Sequence, residues 1–190
     1  MKYPPGRVPA QVRRQLHRII EASDRDFFPP LSWRTGTGET QWATRPQGED
    51  VEPYFTSLMR QTTIITVQRD STIAGFCAYQ YPYRWRERTY LYISTAIVLP
   101  AFRGRRITSH FLAPIALAAM RHRSPILAKT WSSNHRSVGA LRRWARQIEH
   151  IADDRAPGVD TLYWQFDPWI ALRTLVPDRW PGPSQRTAPE

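Results

Sequence analysis

A single α+β domain is the fold class this sequence predicts, and three observations carry it. The 190 residues, 41% hydrophobic and 12% aromatic, can bury one substantial core and are short for two. Two amphipathic helical segments open the chain, and six segments rich in β-branched and aromatic residues follow. Helical periodicity returns between the later strands, so helices flank a sheet. We expect the domain to cover residues 1–176 and residues 177–190, "PDRWPGPSQRTAPE", to form a proline-rich mobile tail.

The elements follow in order. Val12, Leu16, Ile19 and Ile20 recur at helical spacing between Pro9 and Ser23, with arginines between them. The next stretch, "DRDFFPPLSWRTGTGETQW", carries Pro29-Pro30 and then Gly and Thr, which deny it regular helix; its length suits a functional loop. Val51, Tyr54, Phe55 and Leu58 restore the helical period up to Gln61. "TTIITVQRD" and "STIAGFCAYQYPY" read as a hairpin turning at "RDS", and "TYLYISTAIVL" as a third strand stopped by Pro100. A helix from Ile107 to about His122 has Phe111, Leu112, Ile115 and Leu117 on its apolar face. "PILAKTW" is a buried strand, "RSVGALRRWARQ" a short helix, and "QIEHIAD" and "VDTLYWQF" are strands joined at "DRAPG". A last helix starts at "DPW", with Asp167 as its cap and Pro168 in its first turn.

Composition excludes some functions. No run approaches the roughly 18 apolar residues of a membrane span, and the N-terminus lacks the apolar stretch of a signal peptide, so we expect a soluble, cytoplasmic protein. The single cysteine, Cys77, permits no internal disulfide, offers no Cys-based zinc site and has no flanking His to activate it, so it reads as a small core residue. A formal charge of +11, almost all arginine, favours encounter with polyanions or an anionic cofactor without naming either.

The turn "PAFRGRR" lies between a strand and a helix. The first turn of a helix presents unpaired N–H groups with the positive end of its dipole behind them, and Gly104 lets a ligand approach the backbone closely. Arg103, Arg105 and Arg106 add positive charge, so the arrangement suits an anion, while the arginines taken alone read as a solvated basic turn.

Read together, "YISTAIVLPAFRGRRITSHFL" resembles the acyl-CoA signature of the GNAT superfamily of N-acetyltransferases, in a bacterial subgroup of unknown substrate. The family pattern R/Q-x-x-G-x-G/A is matched by Arg103, with Arg106 where glycine is usual and Thr108 where Gly or Ala is usual. Arg106 then needs a helical φ to keep its amide available. "ILAKTWSSNHRSV" is similar to the family's next strand and its Asn-x-x-Ala/Ser helix start, placing Asn134 and Ser137.

The resemblance implies a mixed central sheet of about six to seven strands and acetyl-CoA, or another acyl-CoA, as cofactor. It would be held by Ile97, Val98, Arg103, Gly104, Arg105, Arg106, Ile107, Thr108, Asn134 and Ser137. Transfer to an amine needs a neutral nucleophile and stabilisation of a developing oxyanion. Where many relatives carry a carboxylate this chain has Ser94 and Thr95, and where many carry a tyrosine it has Leu141. Replacement catalytic groups are Thr95 through a water, Ser94, His135, Asp160, Tyr92, Asp153 and Asp154. Asp153 and Asp154 also suit a purely structural role in the turn before Gly158. For the acceptor, Phe27, Phe28 and Trp33 form a wall, Ser32 offers a polar contact and Trp131 flanks the cleft; alternatively the two phenylalanines plug the core. The expected acceptor is a small-molecule primary amine. A macromolecular acceptor such as a nucleic acid or ribosome-associated protein, a binding module without turnover, and a homodimer stay open.

Overall fold

The computed structural model describes residues 1–34, 50–69 and 71–175. The expected tail at 177–190 and the Gly/Thr-rich part of the long loop lie outside them. Among the described residues seven strands form one sheet: β1 (Lys2–Tyr3), β2 (Thr63–Arg69), β3 (Thr72–Trp85), β4 (Arg88–Val98), β5 (Ile126–Trp131), β6 (Arg146–Ala156) and β7 (Val159–Phe166). The helices are α1 (Ala10–Ser23), α2 (Glu52–Gln61), α3 (Ile107–Arg121), α4 (His135–Leu141) and α5 (Pro168–Leu175). The strand order is β1-β2-β3-β4-β5-β7-β6, and β4–β5 is its parallel pair.

Among the described residues, alternation along the strands gives one large apolar core on each face and a smaller cluster of Tyr90, Tyr92, Leu127 and Tyr163. On one face Ile64, Ile73, Phe76 and Ala78 pack under α1 and α2, against Leu16, Ile20, Tyr54, Phe55 and Leu58. On the other, Ala74, Cys77 and Leu91 meet α3 and α5 through Phe111, Ile115 and Leu172. Cys77 is fully buried, and burial pushes its thiol well above the ordinary value, which suits a core side chain.

Four details differ from the expected elements. β1 is too short to carry a sequence pattern, and its register on β2 places Lys2 opposite Ile65. Leu117 is 38% exposed, so the apolar face of α3 is narrower than predicted. α4 ends at Leu141 instead of continuing through Trp144, whose ring packs edge-on to Phe166 at 5.3 Å. β6 continues to Ala156, leaving a tighter turn at Pro157-Gly158 in which Asp153 accepts the Gly158 N–H at 2.6 Å. Asp167 caps α5 as expected, accepting the Trp169 N–H at 2.8 Å.

Candidate active site

β4 and β5 pair at Leu91–Ile126, Tyr92–Leu127 and Ile93–Ala128, and beyond these pairs the strands separate. Two parallel strands that stop exchanging hydrogen bonds leave an open wedge between their C-terminal halves. It is a cavity of about 490 Å³, lined by residues 92–98 of β4 and 128–131 of β5.

A bulge in β4 decides what faces this wedge. Ala78 pairs with Thr95 and Tyr79 with Ile93, so Ser94 has no partner opposite it. One extra residue reverses the alternation. Leu91 and Ile93 pack toward α3, whereas Ile97 packs toward α1 and α2. Thr95 points the same way as Ile97 and is hydrogen-bonded to the Tyr54 hydroxyl of α2. Burial raises the Tyr54 pKa, opposed by nearby Arg34 and by this hydrogen bond.

At one end of the wedge, β4 runs through Pro100–Phe102 into the arginine turn and α3. Gly104 has φ +78° and Arg106 has φ +56°. The helical φ expected for Arg106 is thus corrected: the residue standing where the family pattern has glycine adopts the left-handed conformation that glycine favours. The Arg103 side chain bridges the Val98 carbonyl at 3.1 Å and the Asp26 carboxylate at 3.0 Å, so its guanidinium braces the turn. Ile107 buries its side chain in the core; what it offers at the surface is backbone at the start of α3. Arg103 and Thr108 line the cavity and the exposed residues 104–106 lie between them in sequence. On the β5 side Asn134 caps α4 by accepting the Ser137 N–H at 3.1 Å, and both residues line the cavity with Leu141.

Arg106→Gly should raise stability by about 1 kcal/mol, because the left-handed penalty of about 1–2 kcal/mol exceeds glycine's entropic cost of about 0.5–1 kcal/mol. In a chain of this size that is a rise in Tm of roughly 2–4 °C in a melting curve; an unchanged or lower Tm would contradict the strain.

The opposite end is built from distant segments. Phe27 and Trp131 line the cavity, with ring centroids 5.6 Å apart. Arg34 stacks over Phe27 at 5.4 Å and Arg155 over Trp131 at 5.5 Å. Both guanidiniums, Lys129 and the buried Tyr92 line the same end. Phe28, Ser32 and Trp33, expected in the acceptor wall, do not line the cavity. Ser32 is instead tied to Asp24, its hydroxyl at 2.9 Å and its amide at 2.7 Å. Phe28 and Trp33 are exposed.

Four candidate catalytic residues, His135, Asp153, Asp154 and Asp160, also fall outside the cavity lining. His135 is exposed at the start of α4. Asp160 accepts the Asp153 N–H at 3.0 Å and pairs with His150 at 2.7 Å. These two hydrogen bonds, the backbone one first, hold its carboxyl below the ordinary value and make it a weak base. Its visible work is structural. Ile151 pairs with Thr161 and Ala156 with Val159, so residues 152–155 of β6 bulge opposite Asp160, and this bulge carries Arg155 to the cleft.

Against known proteins, residues 18–145 match the model of the acetyltransferase (GNAT) family. The chain belongs to the GNAT family of acetyltransferases. No protein of curated function matches its sequence. Solved structures share the fold of this GNAT chain at low identity. An N-acetyltransferase from Staphylococcus aureus Mu50 is 14% identical, covers 88% of this chain and 98% of its own, and superposes with a TM-score of 0.63. A ribosomal-protein-alanine N-acetyltransferase from Brucella melitensis is 18% identical over 87% of this chain and 98% of its own, with a TM-score of 0.59.

Sequence reasoning missed Arg34 and Arg155 in this GNAT chain. Each sits in a segment with some signal, "DFFPPLSWR" and "DDRAPGVDTLYW", but neither segment says that the two arginines meet.

Proposed function

We propose that the protein transfers the acetyl group of acetyl-CoA to the primary amine of a small molecule by direct attack in a ternary complex. The observation that carries this reading is a two-ended cleft where β4 and β5 part: an anion-suited turn at one end, an aromatic and cationic chamber at the other. The residues present fit the cofactor. Gly104 has open space where a Cβ would stand, the start of α3 offers amides for a diphosphate, and the unpaired edges of Ile97 and Val98 suit the pantetheine arm.

When bound, acetyl-CoA supplies an activated acetyl thioester. The chain's own part is to hold, orient and relay. Residues 103–108 with Asn134 and Ser137 fix the cofactor end, and positioning of both reactants can contribute about 7–11 kcal/mol. The N–C bond forms as the C–S bond breaks, and the proton lost by nitrogen balances the one taken up by the thiolate. Thr95, joined to Tyr54 and lining the cleft, is the best-placed hydroxyl to pass that proton through a water, with Ser94 beside it. Asp26, the one carboxylate among the described lining residues, is paired with Arg103.

The test is release of CoA thiol from acetyl-CoA with a panel of primary amines, beside a thermal shift with acetyl-CoA alone. Amine-dependent release is expected; a saturable shift without release from any amine would make the protein a binding module. The charge of +11 favours a second reading, a macromolecular anion as acceptor. Binding to RNA or DNA that falls steeply with salt would support that reading.

A further inference from the structure

Four segments converge on the inner end of the cleft, and together they bring a concentration of positive charge. Phe27 and Arg34 come from the stretch after α1, Tyr92 from β4, Lys129 and Trp131 from β5, and Arg155 from the bulge of β6. The rings and guanidiniums form a continuous wall, in the order Arg34, Phe27, Trp131, Arg155. Both guanidiniums are anchored by carbonyls of the same loop: Arg34 donates to Pro29 at 3.1 Å and Arg155 to Phe28 at 2.6 Å, while Arg155 Nε donates to the Thr161 hydroxyl at 2.9 Å. The arginines are therefore aimed by the fold rather than left to wander in solvent.

We infer that the acceptor carries an oxyanion close to its amine, held by Arg34 and Arg155 at the inner end of the cleft, and that polyamines are disfavoured. This deepens the acetyl-transfer reading and rests on it. Guanidinium forks match the geometry of a carboxylate or phosphate, and the Phe27–Trp131 pair supplies an apolar surface beside them. The two positive groups sense each other: burial first, and then repulsion from Arg34, bring the Arg155 pKa down to about 10. A bound anion relieves that repulsion. The same positive field disfavours an ammonium and favours the neutral amine that must attack, which matters because the one carboxylate among the described lining residues, Asp26, is paired with Arg103. A polycation meets Arg34, Lys129 and Arg155 together and is repelled.

Two readouts test this. In the first, CoA release is measured with L-phenylalanine, L-leucine and glycine, with their amides, with O-phosphoethanolamine and with spermidine. An oxyanion-bearing amine should exceed the amides and spermidine at least tenfold in kcat/KM, and comparison of the amino acids with O-phosphoethanolamine tells carboxylate from phosphate. In Arg155→Gln and Arg34→Gln the acid-over-amide preference should collapse about 10- to 100-fold, chiefly through KM, with Arg155→Lys recovering part of it. Amides or spermidine used as well as the acids would overturn the inference while leaving acetyl transfer standing. In the second, CoA-loaded protein is titrated calorimetrically with N-acetyl-L-phenylalanine, N-acetyl-L-phenylalanine amide and phosphoserine. Preference for the anions, lost in Arg155→Gln, keeps the anion site even if no amine is turned over; equal affinities would overturn it.

Discussion

Gly104→Val is expected to weaken acetyl-CoA binding at least 100-fold while the protein stays folded. At φ +78° a β-branched residue is strained by about 1–3 kcal/mol, and the turn can relieve that strain by rotating its amides away from the start of α3. An ideal Cβ at Gly104 meets no protein atom within 4 Å, so the branched side chain projects into the space a diphosphate needs. A wild-type shift equivalent to roughly 2.7 kcal/mol at about 100 times Kd should disappear in the variant. The free protein should melt roughly 2–12 °C lower from the strain alone. Gly104→Asn, which tolerates a left-handed φ better, separates the two effects. A normal melt with lost binding assigns the defect to close approach, and retained binding in the valine variant would move the cofactor off this turn.

The strand, turn and helix start proposed to hold the cofactor were legible in the sequence because they are local. A strand stopped by Pro100, a glycine with three arginines and a helix start are contiguous, and each has its own signature. Most strands were legible for the same reason. The chamber proposed for the acceptor was not, since Arg34 and Arg155 belong to irregular segments whose meeting depends on the sheet order and on a bulge pinned by Asp160. Ser94 shows how little sequence such a feature needs. One unpaired residue in "YLYISTAIV" sends Thr95 to the α2 side, while strict alternation would group it with Leu91 and Ile93. The same locality explains why only part of the expected wall lines the cavity: "DFFPPLSWR" is aromatic and Phe27 lines it, but Ser32 is held by Asp24, and Phe28 and Trp33 are exposed.

Gly75→Ala should destabilise the sheet. Gly75 lies on β3 opposite Val98, and a Cβ there would stand 2.6 Å from the Ile97 carbonyl oxygen and 3.2 Å from the Val98 Cα. Both are backbone atoms, so no side chain can rotate away and β4 itself must shift. Overpacking of this kind costs about 1–3 kcal/mol, a Tm loss of roughly 2–12 °C. The displaced segment also forms the edge of the cleft, so acetyl-CoA affinity should fall with stability. Gly139→Ala is the paired control: Gly139 lies in α4, a Cβ there meets nothing within 4 Å, and the better helix former should add up to about 1 kcal/mol. Opposite signs at the two positions, with acetyl-CoA binding reduced in the Gly75 variant alone, would tie the position of Ile97 and Val98 to the cofactor groove. Equal melting of Gly75→Ala and wild type would mean that β4 yields freely, and a strand that yields cannot hold a thioester in register for attack.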